Sequence, residues 1–419
     1  MGRLLLFGER NVRSKHPFLR LVFLAAAVAI IFVAAPAGVA AQTKPPIKIG
    51  LLMTLSGPGA ASALATRMGI AMAIEEFNAT GGIGGRPIVL VEGDDQANPT
   101  SGTNEVKRLV YQEKIEAMVG PVASAVTVAI LPTLNEAKIA NFTQSGSALL
   151  TPENGPYQFA VIGSAAYSGT QLADYVAAVG AKRVALLQDD SAASLSGGQA
   201  IRARLKEKGV ELTGVQQYKF HPTDVSPQLL SLRATDPEYL ILYSASQDDT
   251  GIVQKNIGEI GWNVKEVGSL ATGLAPDLVM EKAGPDAYKN MVTQVVRTIS
   301  YCPKENDMGQ PEMVAFVKRA IVYEKAHRSG PAITDFYSAA DGFDLVSIIK
   351  QGVEANAGKT DGPTIAKWIV EHPADLKLLT VKQSRASEQS HFMFAPDDFV
   401  LVETPQNRNE NYMFKRAGC

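Results

Sequence analysis

The stretch PIKIGLLMTLSGPGAASALATRMGIAMAIEEFNATGGIGGRPIVLVEGDDQANP, residues 46–99, decides how this chain folds. Ile47 to Met53 is a short, nearly all-apolar run, as expected for a strand buried on both faces of a parallel sheet. A helix is predicted to follow through Met68, Ile70, Ile74 and Phe77, the last three at i, i+4 and i+7, with Gly81-Gly82 as its stop. Ile88 to Val91 reads as a second strand, and Asn98-Pro99 as the cap and first position of the next helix. Strand, helix and strand in that order make a right-handed crossover and hence an α/β fold.

Downstream the alternation continues. Ile115–Val119, a helix from about Ser124, and Ile139–Phe142 extend the first sheet. After Tyr157–Ile162 the theme restarts, with strands at Val184–Leu187, Val210–Tyr218 and Tyr239–Tyr243. Helices at Gln171–Val179, Gln199–Lys208, Ser226–Arg233 and Ile252–Ile260 separate them. Strand and helix return from about Asp286, where Phe343, Val346 and Ile349 form one apolar helical stripe. The chain turns β-like at Phe392–Phe394 and Phe399–Val402. No repeat of solenoid period and no low-complexity linker interrupts it, so two lobes joined by several chain crossings are expected rather than two beads on a string.

The leader predicts export. Arg3, Arg10, Arg13, Lys15 and Arg20 precede an apolar run from Leu21 to Ala35, and small residues lead to Val39-Ala40-Ala41. That pattern reads as a signal peptide over residues 1–41, cleaved near Ala41 to release a soluble periplasmic chain. The apolar run is shorter than the ~18–20 residues of a spanning helix. Removing the leader turns 40 basic and 42 acidic residues into 35 and 41, a net charge of −6. Nucleic-acid binding needs a basic footprint, which this balance lacks. The two cysteines, Cys302 and Cys419, could pair in an oxidising compartment, but spacing alone leaves their pairing open.

Catalytic motifs are missing. Gly352 is followed by five residues before Gly358-Lys359-Thr360, one too many for a phosphate loop. Gly82, Gly84 and Gly85 stop short of a dinucleotide fingerprint because Pro87 stands where the last glycine belongs. There is no G-x-S-x-G, no Cys-x-x-Cys and no His-Glu-x-x-His, so neither a cofactor nor a metal is predicted. Asp94-Asp95 at a strand end is read as fixing its loop through Asx-type bonds.

Two loops at the ends of consecutive strands carry binding chemistry instead. Gly120-Pro121-Val122-Ala123-Ser124 runs from strand to helix, and Thr143-Gln144-Ser145-Gly146-Ser147 follows the next strand. Ligands of open α/β sheets sit at the carboxyl ends of strands. Hydroxyls, free N–H groups and a helix N-terminus there suit a carboxylate. As local chemistry alone, the same serines also read as caps and turn residues.

The segments IKIGLLMTLSGPGA, GIAMAIEEFNATGGIGGRPIVLVEGDDQANP and EAMVGPVASAVT resemble the branched-chain amino-acid-binding proteins, type I periplasmic solute-binding proteins of ATP-driven (ABC) importers. The resemblance runs from about Lys44 to Gly284 and more weakly to about Val402. It implies two Rossmann-like lobes with parallel sheets, a three-segment hinge and closure about a small ligand, as in a Venus flytrap. It places lobe 1 at 44–162 plus 296–397 and lobe 2 at 163–295 plus 398–415, with crossings near residues 162, 295 and 398. It also implies a permease in the inner membrane as partner, and a monomer suits a molecule that docks alternately with ligand and membrane. Ser124, and Ser145, Gly146 and Ser147, match the positions that grip the ligand carboxylate in that family.

The second lobe departs from the pattern. Ala193 stands near the place of a family tyrosine in QDDSAASLSGG, and Ala245 near another in SASQDD. Thr272 falls where the acid that holds an ammonium belongs. An unpaired buried ammonium is costly, so a small organic acid is expected rather than leucine, isoleucine or valine. Ser62, Tyr167, Ala193, Tyr243, Thr272 and Tyr337 are further candidate ligand positions, the tyrosines as aromatic walls or as core. The alternatives are a sensor that presents its closed form to a membrane receptor, a true amino-acid or amide binder, and a serine hydrolase.

Overall fold

The computed structural model describes residues 44–419 apart from 58, 59, 329, 331 and 404, and the side chains of that span apart from those of 61 and 62. The leader read over 1–41 lies outside the described residues. β1 (Ile47–Met53) buries six of its seven side chains, leaving only Lys48 half-exposed. Such a strand needs cover on both faces, and it lies between β2 (Ile88–Asp94) and β3 (Ala117–Val119), parallel to both. With β4 (Ala140–Thr143) and β5 (Gln158–Ala160) they form an all-parallel sheet of order β2-β1-β3-β4-β5. The crossovers are α1 (Ala60–Ala79), α2 (Pro99–Lys107) and α3 (Ser124–Ala137). Asn98 caps α2 by accepting from the N–H groups of Thr100 and Ser101, with Pro99 at its first position.

After α4 (Ala165–Ala178) the chain builds a second sheet. β6 (Arg183–Asp189), α5 (Ala192–Lys208), β7 (Glu211–Tyr218), α6 (Ser226–Arg233) and β8 (Tyr239–Tyr243) come first. Then follow α7 (Gln247–Glu259), β9 (Lys265–Gly268), α8 (Leu270–Leu274), α9 (Pro276–Ala283) and β10 (Met291–Val296). The chain next returns to the first sheet through β11 (Ser300–Tyr301), α10 (Pro311–His327), α11 (Phe336–Ala355) and α12 (Gly362–Glu371). It ends with β12 (Phe399–Val402), antiparallel to β10, and β13 (Phe414–Lys415), paired with β11. The second sheet has the order β12-β10-β9-β8-β6-β7. The molecule is thus an α/β protein of two lobes, and the chain passes between its sheets after β5, after β10 and before β12.

α11 lies against α1 at a backbone-to-backbone crossing. A Cβ at Gly69 would sit 1.7 Å from the Ala339 carbonyl oxygen, and one at Gly342 would sit 2.1 Å from that of Thr66. Only glycine at both places lets the helices approach so closely, and this sets where Tyr337 and Asp341 stand. Cys302 and Cys419 are bonded to each other beside the β11–β13 ribbon.

Three local expectations change. α5 begins at Ala192, not near Gln199, because Ser191 caps it through the Ser194 N–H at 3.2 Å. The glycines that suggested a loop are needed by packing: a Cβ at Gly197 would meet the Tyr243 ring at 2.3 Å. β9 is only four residues long and was not read as a strand. Phe392–Phe394 makes only an isolated bridge to Ala160, with Met393 N donating to the Ala160 carbonyl at 2.9 Å.

Candidate functional site

The carboxyl ends of both sheets converge on one cavity of about 400 Å³. Thr54 reaches it after β1, Ser124 after β3, and Gln144 with Gly146 after β4. Asp190, Phe220, Tyr243 and Leu270 reach it from the second sheet, and α11 contributes Tyr337 and Asp341. This is the crevice where open α/β sheets bind ligands.

The loops are built by local bonds. Asp94 Oδ1 accepts from the Leu55 N–H at 2.9 Å and the Ser56 N–H at 3.3 Å, while Asp95 Oδ1 accepts from Thr54 Oγ1 at 2.6 Å and the Ala97 N–H at 2.8 Å. The paired aspartates therefore clamp the β1–α1 turn to the end of β2, as their loop-fixing reading expects.

The N-terminus of α3 is the site's distinctive feature. Its N-cap is Ala123, which offers no side-chain bond. By contrast α4, α5, α7 and α11, which also open on the cavity, each carry a side-chain cap: Ser164, Ser191, Ser246 and Asp335. The first-turn N–H groups of α3 thus keep their hydrogen-bonding capacity beside the cavity, at the positive end of the helix dipole. Ser124 opens that turn, is 7 % exposed, and its Oγ accepts from Ser145 Oγ at 3.0 Å. That bond leaves the Ser124 proton free to be donated elsewhere. Ser145 and Ser147 are fully buried and do not line the cavity. Gly146 does line it, so this loop shows its backbone and holds its hydroxyls behind.

The remaining candidates divide. Ala193, in the first turn of α5, lines the cavity, as do the rings of Tyr243 and Tyr337. Tyr243 donates its hydroxyl to the Ala165 carbonyl at 3.0 Å. Thr272 is buried behind the wall, donating to the Ser269 carbonyl at 2.6 Å, and does not line the cavity. Tyr167 is 37 % exposed on α4 and does not line it either. Ser62 falls in α1, and its side chain lies outside the described ones.

Among the lining residues that sequence reasoning did not single out as ligand positions, four matter most here. Phe220 and His221 close the cavity after β7, where an aromatic followed by Pro222 was the available signal. His221 has φ 61° and is anchored by Asp249, whose Oδ2 accepts its N–H at 3.1 Å. Half-buried Gln144 pairs with buried Asp341: Gln144 Nε2 donates to Asp341 Oδ2, and Thr66 Oγ1 donates to Gln144 Oε1 at 3.2 Å. Asp341 Oδ1 and the Tyr337 hydroxyl are buried without a partner. Burial pushes the Asp341 carboxyl well above the usual carboxylate range, against the Gln144 bond and with the help of nearby Asp344 and Asp335. No lysine or arginine is among the described lining residues. The hydrogen-bond partner of Ser124 is a serine and not a base, an arrangement suited to holding a ligand more than to attacking one.

Comparison with known proteins agrees with this geometry. The family described as "Periplasmic binding protein" matches residues 46–395. The chain is 26% identical over 346 residues to Leu/Ile/Val-binding protein homolog 7 of Brucella suis, covering 77% of this chain and 84% of that one. A solute-binding protein of an ABC transporter from Rhodopseudomonas palustris, in complex with 4-hydroxybenzoate, superposes with a TM-score of 0.74 at 18% identity, covering 88% of this chain and 95% of the other. The branched-chain amino acid transporter substrate-binding protein of Streptococcus pneumoniae, in complex with isoleucine, gives 0.70 at 19%, covering 88% and 97%. Proteins of this family are periplasmic, bind small molecules and work with ABC transporter components; the family is not an enzyme class. Among the described residues no helix is long and apolar enough to cross a membrane. The chain therefore belongs to the type I periplasmic binding proteins of the branched-chain amino-acid family, as a ligand binder of the Leu/Ile/Val-binding type.

Proposed function

We propose that this protein is the substrate-binding component of an ABC importer, exported by cleavage of its leader near Ala41, and that it captures a small organic acid. The observation that carries this reading is the α3 N-terminus: Ser124 and uncapped N–H groups face the cavity, whereas α4, α5, α7 and α11 meet it with capped ends. An anion there gains the helix dipole and neutral donors without a cationic side chain. Gly146 supplies a second backbone edge, while Ser145 and Ser147 support from behind. Ala193 and Ala245 leave the second-lobe wall without the family's tyrosines; Tyr243 and Phe220 supply its aromatic surfaces, and Tyr337 supplies one from α11 on the first lobe. The chain works as a monomer whose closed form is read by an inner-membrane permease.

The lobes divide as 44–162 with 296–397, and 163–295 with 398–415. Sheet membership supports that division, since β1–β5 and β6–β10 with β12 form separate sheets. Ligand binding favours closure because only a ligand with differential affinity shifts an open–closed equilibrium.

A thermal-shift panel on the leader-free protein tests the ligand class. Carboxylic acids without an amino group, 4-hydroxybenzoate among them, should raise Tm more than leucine, isoleucine or valine. Greater stabilisation by those three amino acids overturns the organic-acid reading, and no response to any carboxylate removes the carboxylate grip.

A further inference from the structure

Asp341 is a buried acid that the family pattern and the carboxylate grip leave unused. It is 1 % exposed and lines the cavity from α11, one turn beyond Tyr337. Its two oxygens are not equivalent. Oδ2 accepts from Gln144 Nε2, and Gln144 is itself fixed by the Thr66 hydroxyl. Oδ1 has no partner, and neither has the neighbouring Tyr337 hydroxyl. A buried polar atom left unpaired is costly, so two on one helix face beside a cavity call for a partner that the protein itself does not supply. The α1–α11 glycine crossing holds the pair in place, so neither group can relieve itself by the helix moving away.

We infer that Asp341, oriented by Gln144, is a specificity residue: it accepts a hydrogen bond from a donor group, hydroxyl or amino, at the end of the ligand remote from its carboxylate. Resting on the organic-acid reading, this narrows the ligand to an acid with two polar ends. One end takes the donors of α3 and the other takes the acceptor on α11. It also places on lobe 1 the acceptor that Thr272 does not supply from lobe 2. The Gln144 bond leaves Oδ1 to the cavity, and the ligand's donor is what turns a carboxyl that burial holds protonated into an acceptor. Because Gln144 presents an N–H to residue 341, an amide there must turn its oxygen to Gln144 and its NH₂ to the Oδ1 side, exchanging an acceptor for a donor.

Calorimetric titration of the leader-free protein with 4-hydroxybenzoate, 4-methoxybenzoate, benzoate and 4-(aminomethyl)benzoate tests this. The methoxy compound keeps the size and the acceptor oxygen but loses the donor, and the aminomethyl compound carries a cationic donor. The native protein should bind a donor-bearing acid at least about tenfold more tightly than 4-methoxybenzoate. Whether the hydroxyl or the aminomethyl compound leads identifies the donor. Asp341→Ala should bring the preference below about threefold, and Asp341→Asn should bring it to unity or reverse it, with benzoate affinity kept within about threefold in both. Retained benzoate binding shows that the cleft of each variant is folded. A preference that survives both substitutions overturns the inference, as does a native protein that shows none or binds no benzoate. If other carboxylates still raise Tm in that last case, the organic-acid reading stands and only the role of Asp341 falls.

Discussion

Gln247 Nε2 donates a 2.7 Å hydrogen bond to Asp335 Oδ2, joining the first turn of α7 on the second lobe to the N-cap of α11 on the first. Asp335 also accepts from the Ser338 N–H at 3.0 Å and Ser338 Oγ at 2.6 Å, so its carboxylate is fixed by α11 itself. If the cleft closes on its ligand as proposed, this contact is a latch across it. Gln247→Ala should raise Kd about fivefold, the equivalent of about 1 kcal/mol for one lost hydrogen bond. The change should come through faster dissociation in stopped-flow traces. An unaltered dissociation rate would show that the latch does not hold the bound state.

Ser145 Oγ donates to Ser124 Oγ at 3.0 Å, so in the proposed carboxylate grip the second serine orients the first. Ser124→Ala should weaken carboxylate binding by about 1–3 kcal/mol, the cost of leaving a charged acceptor one donor short. Ser145→Ala, which removes the orienting bond and the long 3.5 Å bond that Ser145 Oγ accepts from the Ser147 N–H, should weaken it by about 0.5–1.5 kcal/mol. Equal affinities of native and Ser124→Ala protein in calorimetry would remove Ser124 from the grip.

Glu266 gives the fold a pH dependence away from the cleft. It lies on β9, and burial raises its carboxyl from 4.5 to about 7 against the opposing bond from Gln254 Nε2. A raised acid favours the native state while protonated. Its contribution is complete below about pH 4.5 and is lost as pH rises towards about 7. Glu266→Gln should flatten that slope and stabilise the protein at pH 8 by about 1–3 kcal/mol relative to native. Urea unfolding at pH 5 and pH 8 measures both, and parallel pH slopes for the two proteins would refute it.

The α1–α11 crossing sets the stability of the first lobe. Gly69→Ala drives a methyl group into the Ala339 carbonyl and should cost about 3 kcal/mol, the upper part of the range for overpacking. A Tm within a degree of native would show that the helices can part freely.

What the sequence discloses follows how local each signal is. β1 was legible because seven nearly all-apolar residues permit no other placement, and Asn98-Pro99 announced α2 because cap and proline chemistry act within three residues. Ser124 was legible for the same reason, as a serine at a strand-to-helix junction. Asp341 was not. Its place four residues after Tyr337 puts both on one helix face, but only the glycine crossing, made with residues some 270 positions earlier, turns that face to the cavity. Tyr167 and Tyr243 differ in the same way, since nothing beside either tyrosine tells solvent from cleft. The start of α5 was hidden because Gly197 and Gly198 resemble loop residues, and their purpose is clear only when the Tyr243 ring is seen against them.

β12 has a consequence in time as well as space. The second sheet opens with β6 at residue 183 but receives its edge strand only at Phe399–Val402, after the chain has gone back to cover the first sheet. The first sheet likewise waits for α10–α12. Neither half can finish while the chain is still emerging from its amino end, because each depends on segments made after part of the other. If the chain is exported as proposed, a polypeptide threaded through a membrane from its amino end meets no complete leading half to unfold.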